Sequence, residues 1–124
     1  MNGRDASSYQ SLSPLERARY FKELLVQEGI SASELARRLN KSLSYVSNTL
    51  RLLKLPPLIQ DALTTGAISE GHARAMISVR DEQLILGLYK QVLVHQISVR
   101  TMEVLVRDML IAERDAEPVN NQDS

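Results

Sequence analysis

The chain has 124 residues, with fifteen Lys/Arg balanced by fifteen Asp/Glu, no cysteine, no tryptophan, four tyrosines and one phenylalanine. That length suits one domain with a modest core. The missing cysteines exclude a disulfide framework and thiolate chemistry, the neutral balance argues against a uniformly basic nucleic-acid protein, and the scarcity of rings argues against a stacking platform for single strands.

Helical signals then follow one another along the chain, and the pattern predicts an all-α fold: a helix-turn-helix with a supporting bundle, about six or seven helices in total. Residues 1–11 are polar and lack periodicity, so they read as a disordered N-terminal segment without the apolar region of a signal peptide. The domain proper is expected over 12–113. Ser13 and Glu16 form a capping box, Pro14 takes the first helical position, and Leu15, Ala18, Phe21 and Leu25 make one stripe before Gly29. Ser31 and Glu34 repeat the S-x-x-E box ahead of Leu35, Ala36 and Leu39. Asn40 stands where that helix must stop and tolerates a left-handed backbone. Ser42 can cap the next helix, whose inner stripe is Val46, Leu50 and Leu53. This is the pattern of a helix-turn-helix at Ser31–Leu53, with Leu43, Ser44, Ser47, Asn48 and Arg51 on the outer face of a second helix suited to a DNA major groove.

Pro56 and Pro57 end that helix and start a short one, Leu58 to Thr65, closed by Gly66. Ser69 caps a helix of roughly Glu70 to Ser78, and Asp81 precedes one rich in Leu, Ile and Val that runs to about His95. Ser98 caps a last helix to about Glu113. Residues 114–124 read as a disordered polar tail.

Charge is unevenly placed. Residues 1–54 carry nine Lys/Arg against five Asp/Glu, and residues 55–124 carry six against ten. From Arg37 to Lys54 there are five cations, Arg37, Arg38, Lys41, Arg51 and Lys54, and no acid. An acid-free basic stretch around a recognition helix suits phosphate contact.

No catalytic or metal constellation competes with this reading. His72 and His95 lie 23 residues apart with no cysteine to complete a metal site. His72 is expected to bond the backbone or a phosphate, His95 to lie on the surface, and the serines have no base at a telling spacing. Glu70, Asp81 and Glu82 read as cap or first-turn acids. The five glycines are dispersed, so no phosphate loop exists. No enzyme activity, metal or cofactor is therefore expected. The rival is an interaction adaptor: the apolar stretch Leu84–Val94 and the broad stripe of the last helix serve either this domain's own core or a partner surface.

The runs LSPLERARYFKELL, SASELARRLNKSLSYVSNTLRLLKLP, TTGAISEGHARAM and ISVRTMEVLV stand in an order and at spacings that resemble the central DNA-binding domain of the ParB partition proteins, which include Noc and the plasmid regulator KorB. The resemblance covers roughly Leu12 to Met109. It implies binding to a palindromic, centromere-like duplex in chromosome or plasmid segregation, one domain per half-site, or a repressor role of the KorB type. Lys41, Ser42, Ser44, Tyr45, Ser47, Asn48 and Arg51 match its recognition segment, with Leu43, Arg37 and Arg38 beside them. Ser69, Gly71, His72 and Arg74 match a second segment that lies against the DNA backbone. Two positions depart from the family pattern. Position 43 is Leu where the family carries Arg or Lys; a leucine cannot hydrogen-bond a base but can touch a thymine methyl, so a diverged target is expected. Position 40 is Asn where Gly is commoner. The family's CTP-binding and C-terminal dimerisation domains have no counterpart in these residues, so the chain is either a central domain or a short relative. It is expected in the cytoplasm, on the nucleoid, and off the membrane. Self-association should be weak or DNA-dependent, and a ParA-type ATPase, if engaged, would meet regions absent here.

Overall fold

The computed structural model describes residues 6–116, with side chains from Tyr9 onward, and its regular elements are all helical. A 3-10 helix, Ala6–Ser11, leads into α1 (Pro14–Glu28), α2 (Ala32–Leu39) and α3 (Leu43–Arg51). A 3-10 turn, Leu52–Lys54, follows, then α4 (Pro57–Thr65), α5 (Glu70–Met76), α6 (Glu82–His95) and α7 (Val99–Ala116).

The helix starts follow local chemistry. Ser13 Oγ accepts the Glu16 amide at 3.3 Å while the Glu16 carboxylate accepts the Ser13 amide at 3.0 Å, a complete capping box. Ser42 Oγ takes the Tyr45 amide, Asp81 the amides of Gln83 and Leu84, and Ser98 Oγ the Thr101 amide. The α2 cap is only half a box. Ser31 Oγ accepts the Glu34 amide at 3.1 Å, but the Glu34 carboxylate turns away to Arg37 and Arg38, because two guanidiniums one turn on outcompete a single backbone amide.

Two apolar cores share α1. Tyr20 and Phe21 pack with Tyr9, Leu35, Ala36, Leu39 and Val46 to hold the helix-turn-helix. Leu15, about one and a half turns earlier, joins Leu52, Leu55, Ile59 and the α5–α7 residues Met76, Leu88, Met102 and Val106. Arg17 lies between these α1 positions, and its guanidinium reaches Glu70 on α5 at 3.0 Å, with side chains 13% and 25% exposed. α6 and α7 bury one face each in this domain's own core and leave Leu93, Val94, Val104 and Ile111 exposed.

Three expectations need correction. Of the segment expected to be disordered over 1–11, residues 6–11 form the 3-10 helix, and residues 1–5 lie outside the described chain. The reason is Tyr9, 2% exposed, whose ring meets Phe21 edge-on at 5.4 Å and lies 6.4 Å from that of Tyr45. Beyond the expected stripe of α3, Leu52 is the more deeply buried residue at its exit, with Leu53 only partly buried against the same core, because the chain tightens into a 3-10 turn after Arg51. The last helix continues through Ala116, past the expected end at 113; residues 117–124 of the expected tail lie outside the described chain.

Replacing Tyr9 with Ala removes a ring that fills the space between α1 and α3. A loss of about 3 kcal/mol is expected for such a cavity, read as a drop in Tm by circular dichroism. An unchanged Tm would show that the first turn does not hold the core.

Candidate nucleic-acid interface

The geometry of the site begins with the turn between α2 and α3. Asn40 adopts φ 59°, ψ 44°, its amide donates to Arg37 O at 3.1 Å, and the Lys41 amide donates to Ala36 O at 2.9 Å. This is a Schellman arrangement, which the left-handed tolerance of Asn makes possible without glycine. Ala36, 4% exposed, is small enough for α2 and α3 to cross closely. Val46 and Thr49 anchor α3 below. Thr49, 3% exposed, satisfies its hydroxyl on Tyr45 O at 2.7 Å.

The upper face of α3 is uncommitted. Leu43 and Ser44 in the first turn and Arg51 in the last are exposed, with Ser47 and Asn48 half-buried between them. Ser44, Ser47, Asn48 and Arg51 make no side-chain hydrogen bond or ion pair among the described residues. Leu43 is 48% exposed on an otherwise polar surface. Because Ser42 caps only the Tyr45 amide, the first amides of α3 remain available, with the positive end of the helix dipole behind them.

Other candidate residues are committed. The Lys41 ammonium stands 5.3 Å from the centroid of the Tyr45 ring. Tyr45 is half-buried against Phe21 and Tyr9, and burial raises its phenol above the ordinary value, against the opposing Arg17 charge, so it is a neutral O–H at physiological pH. Arg37 holds Glu34 at 2.5 Å, and Arg38 holds both Glu34, at 3.1 Å, and Glu28. Those hydrogen bonds, first to Arg37 and then to Arg38, lower the Glu34 carboxyl to about 2.

The second segment is a structural joint. The Ser69 amide donates to His72 Nδ1 at 3.2 Å, the His72 amide donates to Ser69 Oγ, and His72 Nε2 sits 2.9 Å from Ile97 O. With Nδ1 accepting, the ring is the tautomer whose Nε2–H donates to that carbonyl. His72 thus takes the N3 place in a capping box and ties α5 to the start of α7. Gly71 lets α5 approach α7 closely: a Cβ there would lie 2.9 Å from Val99 Cγ2 and 3.1 Å from Cγ1. Arg74, half exposed, shares Glu70 Oε2 with Arg17. Among the described residues no group of three or more His, Cys, Asp or Glu could hold a metal, and no helix is long and apolar enough to cross a membrane.

Three features escaped the sequence. Arg17–Glu70 joins residues 53 apart, and no local pattern marks such a pair. The Gln60 side chain donates to Leu53 O and Leu55 O, pinning the loop after α3. Gln96 takes φ 52° between α6 and α7 without a glycine to mark it.

An αL turn joining two short helices, the second braced by a bundle, places this chain among the helix-turn-helix domains. It belongs to the ParB HTH domain family, whose model matches residues 10–111. It is 42% identical over 97 residues to a probable chromosome-partitioning protein ParB of Treponema pallidum, covering 78% of this chain and 30% of that one. It is 44% identical over 110 residues to the chromosome-partitioning protein Spo0J of Thermus thermophilus, covering 88% and 40%. The chain thus spans well under half the length of either relative. Among solved structures, the DNA-binding domain of ParB complexed to the centromeric parS site matches with TM-score 0.74 and 36% identity, over 82% of this chain and 84% of that one. A C-terminally truncated ParB from Caulobacter crescentus, also complexed to parS, matches with TM-score 0.70 and 37% identity, over 79% and 49%.

Two measurements check this geometry. Gly71→Ala should destabilise the fold by about 1–3 kcal/mol through overpacking, and Val99→Ala in the same chain should restore part of it, which denaturant melts of the four variants would read. A Gly71→Ala cost unchanged by Val99→Ala would mean that α5 and α7 do not meet there. Glu34, lowered in the fold, contributes stability that is present above its ordinary value of 4.5 and is lost as pH falls toward about 2. Carboxyl NMR should therefore find Glu34 ionised at pH 3.5, and Glu34→Gln should flatten the acid limb of stability in that window.

Proposed function

We propose that this domain binds one half of a palindromic duplex site by laying α3 in the major groove, as a partition-site reader without catalytic chemistry. The observation that carries the reading is the face of α3: Ser44, Ser47, Asn48 and Arg51 without side-chain partners among the described residues, and no acid from Arg37 to Lys54. Its support is the likeness to a ParB domain described in complex with parS.

The roles divide by chemistry. Lys41, Arg51 and the amides at the start of α3, with Ser42 and Ser44, meet phosphates; Ser47 and Asn48 reach base edges. Leu43 contacts a pyrimidine methyl. Arg74 meets the backbone, while Tyr45, Ser69, Gly71 and His72 act by holding α3 and α5 in place. Arg37 and Arg38 reach DNA only by exchanging Glu34 or Glu28 for phosphate. The domain works in the cytoplasm on the nucleoid, and no residue here is assigned to a ParA-type ATPase.

Selection from a random duplex library gives the site and its symmetry without assumption. On that site, Lys41→Ala and Arg51→Ala should each weaken binding to every sequence and reduce the slope of log K against log salt by about 0.9. Asn48→Ala should instead change discrimination among sites, at roughly 1–3 kcal/mol for a lost base contact. Unchanged affinity in all three variants would place the DNA face elsewhere. Half-site affinity from one helix-turn-helix is modest, so the domain should be monomeric by light scattering and pair only on the palindrome. A stable dimer without DNA would overturn that part.

A further inference from the structure

Beyond the recognition helix lies a groove of about 540 Å³, between the 3-10 turn after α3 and the α5–α6 connection. Its floor is apolar, built by Leu55, Ile77, Val79 and Ile85. Its rim brings together Arg51, Lys54 and Arg80, three exposed cations from segments up to 29 positions apart, with Glu82 as the single acid. None of the three cations has an ion-pair partner among the described residues, whereas Arg17, Arg37, Arg38 and Arg74 each hold a carboxylate. Three cations against one acid leave the rim with a net positive charge, which attracts a polyanion.

We infer that this groove is a second DNA contact, in which Lys54 and Arg80 hold phosphates of duplex flanking the recognised bases; the inference rests on the DNA reading above. Arg51 fixes the direction. It belongs to the last turn of α3 and also lines the groove. When the first turn of α3 enters the major groove, the last turn rises to the phosphate edge, and the groove beyond it faces the strand that continues past the half-site. Gln60 holds this rim in place through the Leu53 and Leu55 carbonyls. Arg80 stands outside every motif that marked the recognition segment, and it extends the footprint without reading sequence.

The test uses the full chain and two labelled duplexes: the selected palindrome alone, and the same palindrome with one more helical turn, about 10 bp, on each side. Wild type should bind the longer duplex more tightly and with a steeper salt slope. Arg80→Ala and Lys54→Ala should each lower the slope on the longer duplex by about 0.9, which is about 3.5-fold less weakening across a fourfold rise in salt. Arg80→Ala should match wild type on the short duplex, and Arg80→Lys should restore the slope on the longer one. If both alanine variants equal wild type on the longer duplex, the groove is not a DNA contact, while the reading of α3 stands. Equal losses on both duplexes would likewise overturn the flanking contact. Wild type that binds neither duplex would sink both readings.

Discussion

The ion pair between Arg17 and Glu70 is the constraint on which the rest of the fold turns. α1 contributes Phe21 to one core and Leu15 to the other, so the two cores meet along a single helix. Apolar packing along one helix fixes a distance but leaves rotation soft. A largely buried guanidinium that bonds Glu70 at 3.0 Å and Leu12 O at 3.2 Å allows far fewer arrangements. Such a pair adds little net stability, since desolvation consumes most of its attraction, and its value lies in selecting one geometry. Glu70 also receives Arg74, so the position of α5 follows from the position of α1.

This constraint reaches α3 through packing rather than through the turn alone. The Asn40 turn sets where α3 begins, but its lower face is set by Val46 and Thr49 against α1 and α2, and its exit by Leu52 in the bundle core. The exposed face of α3 is therefore presented by an element whose supporting side chains point away from it. The apolar joint between Gly71 and Val99 performs the same service for α5.

The helix starts were legible because a cap is decided within four residues: Ser13, Ser42, Ser69 and Asp81 each act on amides two or three positions away. Asn40 was legible because few residues accept its backbone angles. The outer face of α3 followed from period alone. Tyr9 was not legible, because a single ring in a polar stretch has no period, and only the fold reveals Phe21 waiting for it. Leu52 was missed because helical phase was carried past the point where the helix tightens. Ser69, Gly71 and His72 stood out by motif, yet the motif could not say that they bond and pack within the protein, to each other and to Ile97 and Val99. Arg80 stood out by nothing, since its companions Arg51 and Lys54 lie more than twenty positions away.

The carboxylate of Glu34 has a consequence for how ions take part in recognition. With Arg37 and Arg38 already closed upon it, the cluster brings its own counterion, covalently attached and present at effectively infinite dilution of salt. A phosphate that displaced Glu34 would trade one fixed anion for another and release no bound ion from the protein. Until such an exchange takes place those two arginines neutralise no phosphate and release no cation from the duplex, so the response to salt is carried by the cations without internal partners.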